Sequence, residues 1–328
     1  MGHFERRAFL AASAAALAIP GMALAAAYPE RPIRLIVPYP PGGGTDAFAR
    51  TVGPRMAEAL GQPVVIDNRP GASSTIGATA VAHAPADGYT MLLGDMGTFS
   101  VNRSMFRKLA YDSFTDFAPV GLTARLGLLV VVGSAVPART LEEFVALARA
   151  QPGALSYGTP GTGTPHHLAM ELLLRRAGVT ATHVPYKGAG PAMQDLLGGQ
   201  IPVLLTDLAT ASQHLRGGKL RVLAQCGARR LPQIAEVPTV AEAGGPALAG
   251  YDVAAWQGFA VPAATPPAAI AALNAAYLKA AAEPAVRQRM ADLGGELTPG
   301  TPQAMDEQVR REAALWQRIV REANITID

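Results

Sequence analysis

The sequence predicts an α/β fold in two domains, and three observations carry the prediction. Short β-branched runs alternate with capped amphipathic helices, the pattern of a mostly parallel sheet with helices packed on it. The chain has 328 residues, and at ~150 residues per domain that length suits two. Composition is 49% hydrophobic against 16% charged, enough apolar material for sizeable cores and too little charge for a disordered chain.

Taken in order, residues 1–27 read as an address. Arg6 and Arg7 precede an uncharged, Ala- and Leu-rich stretch over 8–27, broken by Pro20-Gly21 and ending in small residues at 23–27. A charged start, an apolar middle and an A-x-A-like site describe a cleaved export signal, with the mature chain starting near Tyr28. Arg6-Arg7-x-Phe9-Leu10 resembles a twin-arginine signal, with Glu5 and Ala11 at two positions where that signal usually differs. The Pro-Gly break argues against a membrane anchor.

Residues 33–37 form the first strand and end at Pro38. Pro40-Pro41-Gly42-Gly43-Gly44 is a loop, after which Thr45 or Asp46 caps a helix carrying Phe48, Val52, Met56 and Leu60 at i+4 spacing. Pro54 should kink that helix and Gly61 stop it. Strand 64–66 follows, then a turn at 68–72, a helix capped by Ser73 or Ser74, and strand 89–93. Beyond these come strand 128–132, helix 140–150, strand 155–157, helix 167–177, strand 182–185, helix 190–198, and strands 203–205 and 220–226. The last third reads as mainly helical, over 266–282, 284–294 and 302–323.

Charge and cysteine usage exclude several functions. Lys plus Arg is 28 against 25 acids, a formal net charge of +3, and no block of five like charges occurs, so no nucleic-acid footprint is present. One cysteine, Cys226, leaves no intramolecular disulfide framework and no multi-cysteine metal site. It lies in an apolar strand and reads as inert core, as do Trp256 and Trp316.

Three loops share one layout of strand, Gly/Thr/Pro-rich turn and helix: 38–46, 158–167 and 185–190. In open α/β sheets, ligands sit beyond the carboxyl ends of strands, against helix N-termini whose N–H groups and dipole favour an anion. The hydroxyls of Thr45, Thr159, Thr162 and Thr164 add donors. Three such loops on one cleft would hold a carboxylate without an arginine. Phosphate motifs fail on spacing. Gly42-Gly43-Gly44-Thr45-Asp46 has no Gly-Lys-Ser/Thr ending, and Gly158-x-x-Gly161-x-Gly163 reverses the dinucleotide fingerprint. No G-x-S-x-G elbow and no H-E-x-x-H motif is present. His166 and His167 are adjacent and point to different sides of a helix start, a poor ligand pair, so helix capping or bracing of the loop is the favoured role. Asp207 is either a helix cap or a polar group in the cleft.

Together, Tyr39 to Asp46 (YPPGGGTD), Asp67 to Ala72 (DNRPGA), Ala86 to Thr90 (ADGYT), Tyr157 to Thr164 (YGTPGTGT), His167-Leu168, Val184 to Gly188 (VPYKG) and Asp195 to Gln200 (DLLGGQ) resemble the Bug, or tripartite tricarboxylate transporter, extracytoplasmic solute receptors. The likeness runs in order along the mature chain, departing at Asp67 where Glu is common and in His83-Ala84-Pro85 before the ADGYT motif. It implies a type II periplasmic binding protein: two α/β lobes with a ligand cleft between them, 28–125 plus 227–328 forming one and 126–226 the other. It implies capture of a small organic carboxylate by backbone N–H groups, hydroxyls and ordered water. Carried over by position, the site is Tyr39, Gly43, Thr45 and Asp46, with Ser73 and Ser74 near them, from lobe one. Lobe two supplies Thr159, Gly161, Thr162, Gly163, Thr164, His167, Tyr186, Lys187, Gly188 and Asp207. Specificity is expected from lobe-two loops and from residues around 94–100 and 207–212.

The expected product is therefore a monomeric, periplasmic, non-enzymatic receptor with no cofactor and no metal. It would deliver its carboxylate to a membrane permease of the tripartite tricarboxylate type, or present it to a sensor kinase. A periplasmic hydrolase or lyase using His167, Lys187 and Asp207 lacks an identifiable nucleophile–base–orienter set.

Overall fold

The computed structural model describes residues 28–322 except Arg216, so the expected export signal at 1–27 lies outside the described residues. Helices and strands alternate as anticipated through the first half. Strand β1 (Ile33–Val37) leads to α1 (Gly44–Leu60), β2 (Val64–Asn68), α2 (Thr75–Ala82) and β3 (Thr90–Asp95). A π-helical turn at Gly97–Val101 and the short α3 (Asn102–Met105) follow, then a 17-residue strand, β4 (Phe117–Gly133). Next come α4 (Leu141–Ala150), β5 (Ser156–Thr159), α5 (Pro165–Ala177), β6 (Thr182–Pro185), α6 (Ala189–Leu197), β7 (Val203–Asp207), α7 (Leu208–Leu215) and β8 (Leu220–Gln225). The remainder is α8 (Val240–Ala243), β9 (Ala254–Pro262), α9 (Pro267–Ala282), α10 (Pro284–Asp292), β10 (Gly295–Leu297) and α11 (Pro302–Glu322).

The sheet is mixed rather than mostly parallel. β1 pairs in parallel with β2 and β3, and β5 with β6 and β7. β9 is antiparallel to both β3 and β4, and β4 is antiparallel to β7, β8 and β10. β4 is the seam. Its pairing with β9 ends at Gly127–Ala254, and its pairing with β7 begins at Leu128–Asp207. The chain comes back beside that point, where Cys226 N–H donates to Leu128 O (2.8 Å) and Val253 N–H donates to Cys226 O (2.8 Å).

Strands β9 and β10 and the first part of β4 escaped the sequence pattern, β4 and β9 for physical reasons. Only 128–132 of β4 forms a continuous apolar run, because both faces are covered there. Leu128, Val130 and Val132 join the main core, and Leu129 and Val131 join a second cluster with Met193, Leu196 and Leu204. The first part of β4 contains Pro119, Gly121 and Arg125, and register shifts near Gly121 and Ala124 break its alternation. β9 places Gln257 and Gly258 mid-strand, in the third that reads as mainly helical. A Cβ on Gly258 would lie 2.6 Å from Met305 Sδ, so a larger residue there would displace the Met305 side chain where α11 packs across β9.

Both expected caps also differ. Gly43, not Thr45 or Asp46, is the N-cap of α1. Ser74 is the N-cap of α2, but its hydroxyl makes no cap bond because it turns to Thr98. Gly61 ends α1 at φ 69°, and α1 runs through Pro54. The core is apolar and aromatic: Phe48 of α1 meets Phe259 and Tyr277 at centroid distances of 6.0 and 6.3 Å. Trp256 stacks on Phe99, and Trp256 and Trp316 both donate to Glu312 Oε2 (2.6 and 3.3 Å). Burial pushes the Cys226 thiol up to about 12, which keeps it protonated. Among the described residues no helix is long and apolar enough to cross a membrane.

Candidate functional site

The β1–α1 loop is held from below. Asp46, in the first turn of α1, accepts from Gly42 N–H (3.0 Å) and Arg50 Nε (2.9 Å) on Oδ2, and from Asn68 Nδ2 (3.0 Å) on Oδ1. Burial works to raise its pKa, but these donors outweigh burial and hold it below the ordinary value. Asp46 thus fixes the loop and leaves the first N–H groups of α1 directed outward. Tyr39 donates to Asp95 Oδ2 (2.6 Å), and Thr45 Oγ1 accepts from Gln257 Nε2 (2.6 Å). Asp95 is buried and also accepts on Oδ1 from Thr98 N–H (3.0 Å) and Oγ1 (3.1 Å). Its pKa is nevertheless raised, because burial outweighs those donors.

The β5–α5 loop is built by threonines and two glycines at positive φ, Gly161 (154°) and Gly163 (75°). Thr159 and Thr164 hydroxyls donate to Gly161 O (3.1 and 2.8 Å), and Thr164 caps α5 by accepting from His167 N–H (3.4 Å). His167 lies beneath the loop. Its Nδ1 accepts from Gly163 N–H (3.1 Å), and its ring stacks on His183 at 3.9 Å, with Tyr157 beside both. Burial and the neighbouring His183 lower the His167 pKa to about 3. Burial lowers that of His183, whose Nε2 is 2.7 Å from Thr159 Oγ1, to about 4.

The third loop approaches the first so closely that Gly188 (φ 139°) is required. A Cβ there would lie 2.8 Å from Pro40 Cγ. Tyr186 is tied to Asp195 (2.7 Å), and Lys187 is exposed at the rim. A fourth segment closes the ring. Ala72, Ser73 and Ser74 are consecutive left-handed residues (φ 44°, 54°, 72°), a strained run held by Asn102 Nδ2 donating to Ser73 O (2.8 Å). It places the Ser73 hydroxyl as donor to Thr162 O, directly across the cleft.

These segments enclose two adjoining cavities that share Tyr39, Pro40, Pro160 and Thr164. The inner one, of about 40 Å³, is lined by Gly43, Thr45, Gly188 and Asp207, and the outer one, of about 440 Å³, by Ser73, Ser74, Gly161, Thr162, Tyr186 and Lys187. The outer one is of ligand-binding size, and the inner one holds no more than a small group. Four anticipated site residues do not line them: Asp46, Thr159, Gly163 and His167 instead hold the loops in shape. Three polar side chains outside the anticipated set also line the inner cavity: Asp95, His166 and Gln257. Asp95 falls within 94–100, where specificity was expected. His166 and His167 diverge as adjacency required, with His166 the cavity-facing member. Gln257 had no sequence signal, because β9 was not recognised.

Asp207 settles between its two readings as both. Its Oδ1 accepts from Thr210 N–H (2.8 Å) at the start of α7, and its Oδ2 faces the cavity, 3.8 Å from His166 Nε2. Burial raises its pKa, but His166 and the Thr210 N–H outweigh that and hold it below the ordinary value. A separate cavity beside the chain crossings, lined by residues including Arg125, Gln225 and Arg229, is not reached by the glycine loops. Among the described residues no group of three His, Cys, Asp or Glu side chains could hold a metal ion.

Comparison with known proteins agrees with this architecture. Residues 48–325 match the model of the tripartite tricarboxylate transporter family receptor. The chain belongs to that family. It is 39% identical over 294 residues to a protein in the tcbD-tcbE intergenic region of Pseudomonas sp. (strain P51), covering 90% of this chain and 87% of that one. The periplasmic binding protein BugD superposes with a TM-score of 0.85 at 32% identity, covering 91% of this chain and 99% of BugD. An R. palustris protein solved with adipate superposes at 0.87 with 36% identity, covering 91% and 99%. The tripartite tricarboxylate receptor fold is thus the mixed α/β fold of periplasmic binding proteins, and this family is one of solute-binding receptors.

Proposed function

We propose that this family member is an exported receptor that closes on a small organic carboxylate and delivers it to a tripartite tricarboxylate-type permease. The observation that supports this best is the meeting of glycine loops and helix N-termini from both sides of the β4 seam around two adjoining cavities. N–H groups at the starts of α1, α5 and α6 lack intrahelical partners by geometry and favour an anion. Hydroxyls of Thr45 and Thr162 and the Lys187 ammonium stand at the same cavities.

The two lobes are 28–125 with 227–328, and 126–226. The change of strand partners at Gly127–Leu128 and the return at Cys226 support that division. Contacts from both lobes exist together only when the lobes are shut, so ligand shifts the population toward the closed form, which the permease recognises. Thr159, whose hydroxyl meets His183, is fully buried and lines neither cavity, which supports binding over catalysis.

The test is a thermal-shift screen of the purified protein against a carboxylate panel. A ligand at 100 times its Kd adds about 2.7 kcal/mol and raises Tm. A panel in which sugars or cations shift Tm and no carboxylate does would overturn the proposal. Delivery is tested by carboxylate uptake in cells with and without the receptor gene.

A further inference from the structure

The cavity of about 100 Å³ beside the chain crossings opens into a groove of about 540 Å³, and the two share Arg229, Leu231, Gly294 and Glu296. Leu126 is the one lining residue that this groove system has in common with the inner cavity of the cleft. A Cβ on Gly44 would lie 2.8 Å from Leu126 Cδ1, and one on Gly295 would lie 3.2 Å from its Cδ2. Groove and cleft thus lie on opposite sides of Leu126, where β4 changes partners. Four arginines line the groove system, Arg125, Arg229, Arg230 and Arg287, against two acids, Asp252 and Glu296. Arg125 is 3.7 Å from Asp252, and Arg229, its side chain 82% exposed, is 3.3 Å from Glu296. Exposed pairs of this kind contribute little and exchange readily for another anion. Arg230 is held in place by Glu242 (2.8 Å) and Ala235 O (2.9 Å), and Arg287, exposed on α10, makes no ion pair among the described residues. Ala291 at the carbonyl end of α10 also lines the groove, but its O already accepts from Gly294 N–H (2.7 Å) and Gln233 Nε2, which offsets that end of the helix.

The two walls are anchored on different sides of the seam. Glu296 stands on β10, which pairs with 124–126 of β4. Arg229 and Arg230 start a strap that reaches back over the seam: Leu231 and Ile234 pack in the second cluster with Leu129, Val131 and Leu204, and Leu231 N–H donates to Gln225 Oε1 (2.7 Å). A rotation at the seam that opens the cleft therefore narrows the gap between strap and β10. In this structure the cleft is shut, with the Ser73 hydroxyl donating to Thr162 O across it, so the groove has the width of the shut state. We propose that the groove binds a compact oxyanion of two or more charges, which wedges between strap and β10 and holds the hinge shut. The guanidinium forks of Arg229, Arg230 and Arg287 suit phosphate or carboxylate oxygens. By linkage, an anion in the groove and a ligand in the cleft tighten each other's binding. This site rests on the two-lobe reading above and is independent of which molecule the cleft takes.

The experiment is titration calorimetry with pyrophosphate, with citrate, and with chloride at matched ionic strength, the first two separating a phosphate from a polycarboxylate source. Three proteins are compared: the wild type, the groove variant Arg229→Gln with Arg287→Gln, and the cleft variant Thr162→Val with Lys187→Ala. Pyrophosphate or citrate is expected to bind the wild type, to lose about tenfold or more in affinity for the groove variant, and to keep its affinity within about twofold for the cleft variant. Both arginines are exposed, so the groove variant should fold with Tm unchanged. In small-angle X-ray scattering the same anion should reduce the radius of gyration of the wild type and leave that of the groove variant unchanged. Binding that chloride reproduces, an unaltered affinity in the groove variant, a loss in the cleft variant instead, no binding of either anion, or a radius of gyration indifferent to the anion overturns the inference. Each of these leaves the carboxylate receptor standing, because the thermal-shift screen tests that reading separately.

Discussion

Lowering the pH from 7 to 5 is expected to destabilise the protein through the two histidines under the β5–α5 loop. Both are neutral in the folded state, His167 at about 3 and His183 at about 4, against ~6.5 for an unfolded histidine. Because the folded pKa values are depressed, the unfolded chain binds more protons between the two limits. Stability is therefore full above pH 6.5 and falls as the pH drops below it. At 1.36 kcal/mol per pH unit per proton, each histidine costs about 2 kcal/mol at pH 5 and the pair about 4 kcal/mol. With unfolding entropy near ~2 cal/mol/K per residue, that is a fall in Tm of about 6 °C. Carboxylates with lowered pKa values titrate mostly below this window, while Asp95 and Glu312, raised by burial, bind protons in the folded state and offset part of the loss. The assay is circular-dichroism melting at pH 7, 6 and 5 for the wild type and for His183→Phe, which keeps a ring against His167 and removes one titrating group. The variant should lose about half the pH dependence. Ligand affinity should hold over the same range, since His167 stays neutral in the folded state and its Nδ1 keeps accepting from Gly163 N–H. A wild-type Tm that is flat from pH 7 to 5, or an identical slope in His183→Phe, would refute the reasoning.

Further outcomes are expected at single residues. Gly44→Ala places a Cβ 3.1 Å from Asp207 Oδ2 and 2.8 Å from Leu126 Cδ1; calorimetry should show about tenfold weaker ligand binding while Tm holds, because Ala suits a helix better than Gly. Thr162→Val with Thr164→Val removes a cavity hydroxyl and the cap of α5; it should cost about 1 kcal/mol of stability in urea melts and weaken carboxylate binding, and unchanged affinity would remove this loop from the site. Lys187→Ala should weaken carboxylate binding in a salt-dependent way and leave stability within about 0.5 kcal/mol. Phe48→Ala, which empties the contact with Phe259 and Tyr277, should cost about 3–5 kcal/mol in the same melts.

Local chemistry made much of the molecule readable. The Leu128–Val132 run announced a strand, Gly61 ended its helix at φ 69°, and the three glycine loops were visible as turns between strand and helix. Those signals are confined to neighbours in sequence, and this is why they could be read. The same limit explains the misses. Thr45 and Asp46 are good cap residues, yet Gly43 takes that place because Thr45 is bound to Gln257 and Asp46 to Asn68, over 200 and about 20 residues away.

By itself the sequence determined the α/β class, the family and the segments that reach the cleft. Only the tertiary structure decided which side chains of those segments line the cavities. It turned His167 under the loop to stack on His183, brought forward its neighbour His166, and set Asp95, Asp207 and Gln257 around one inner cavity from three different strands. The physical reason is that a strand or helix can be specified by the pattern of its own residues. The charge and hydrogen-bond balance of a cavity is a sum over residues far apart in the chain, and it exists only once β4 and the return at Cys226 have joined the two halves.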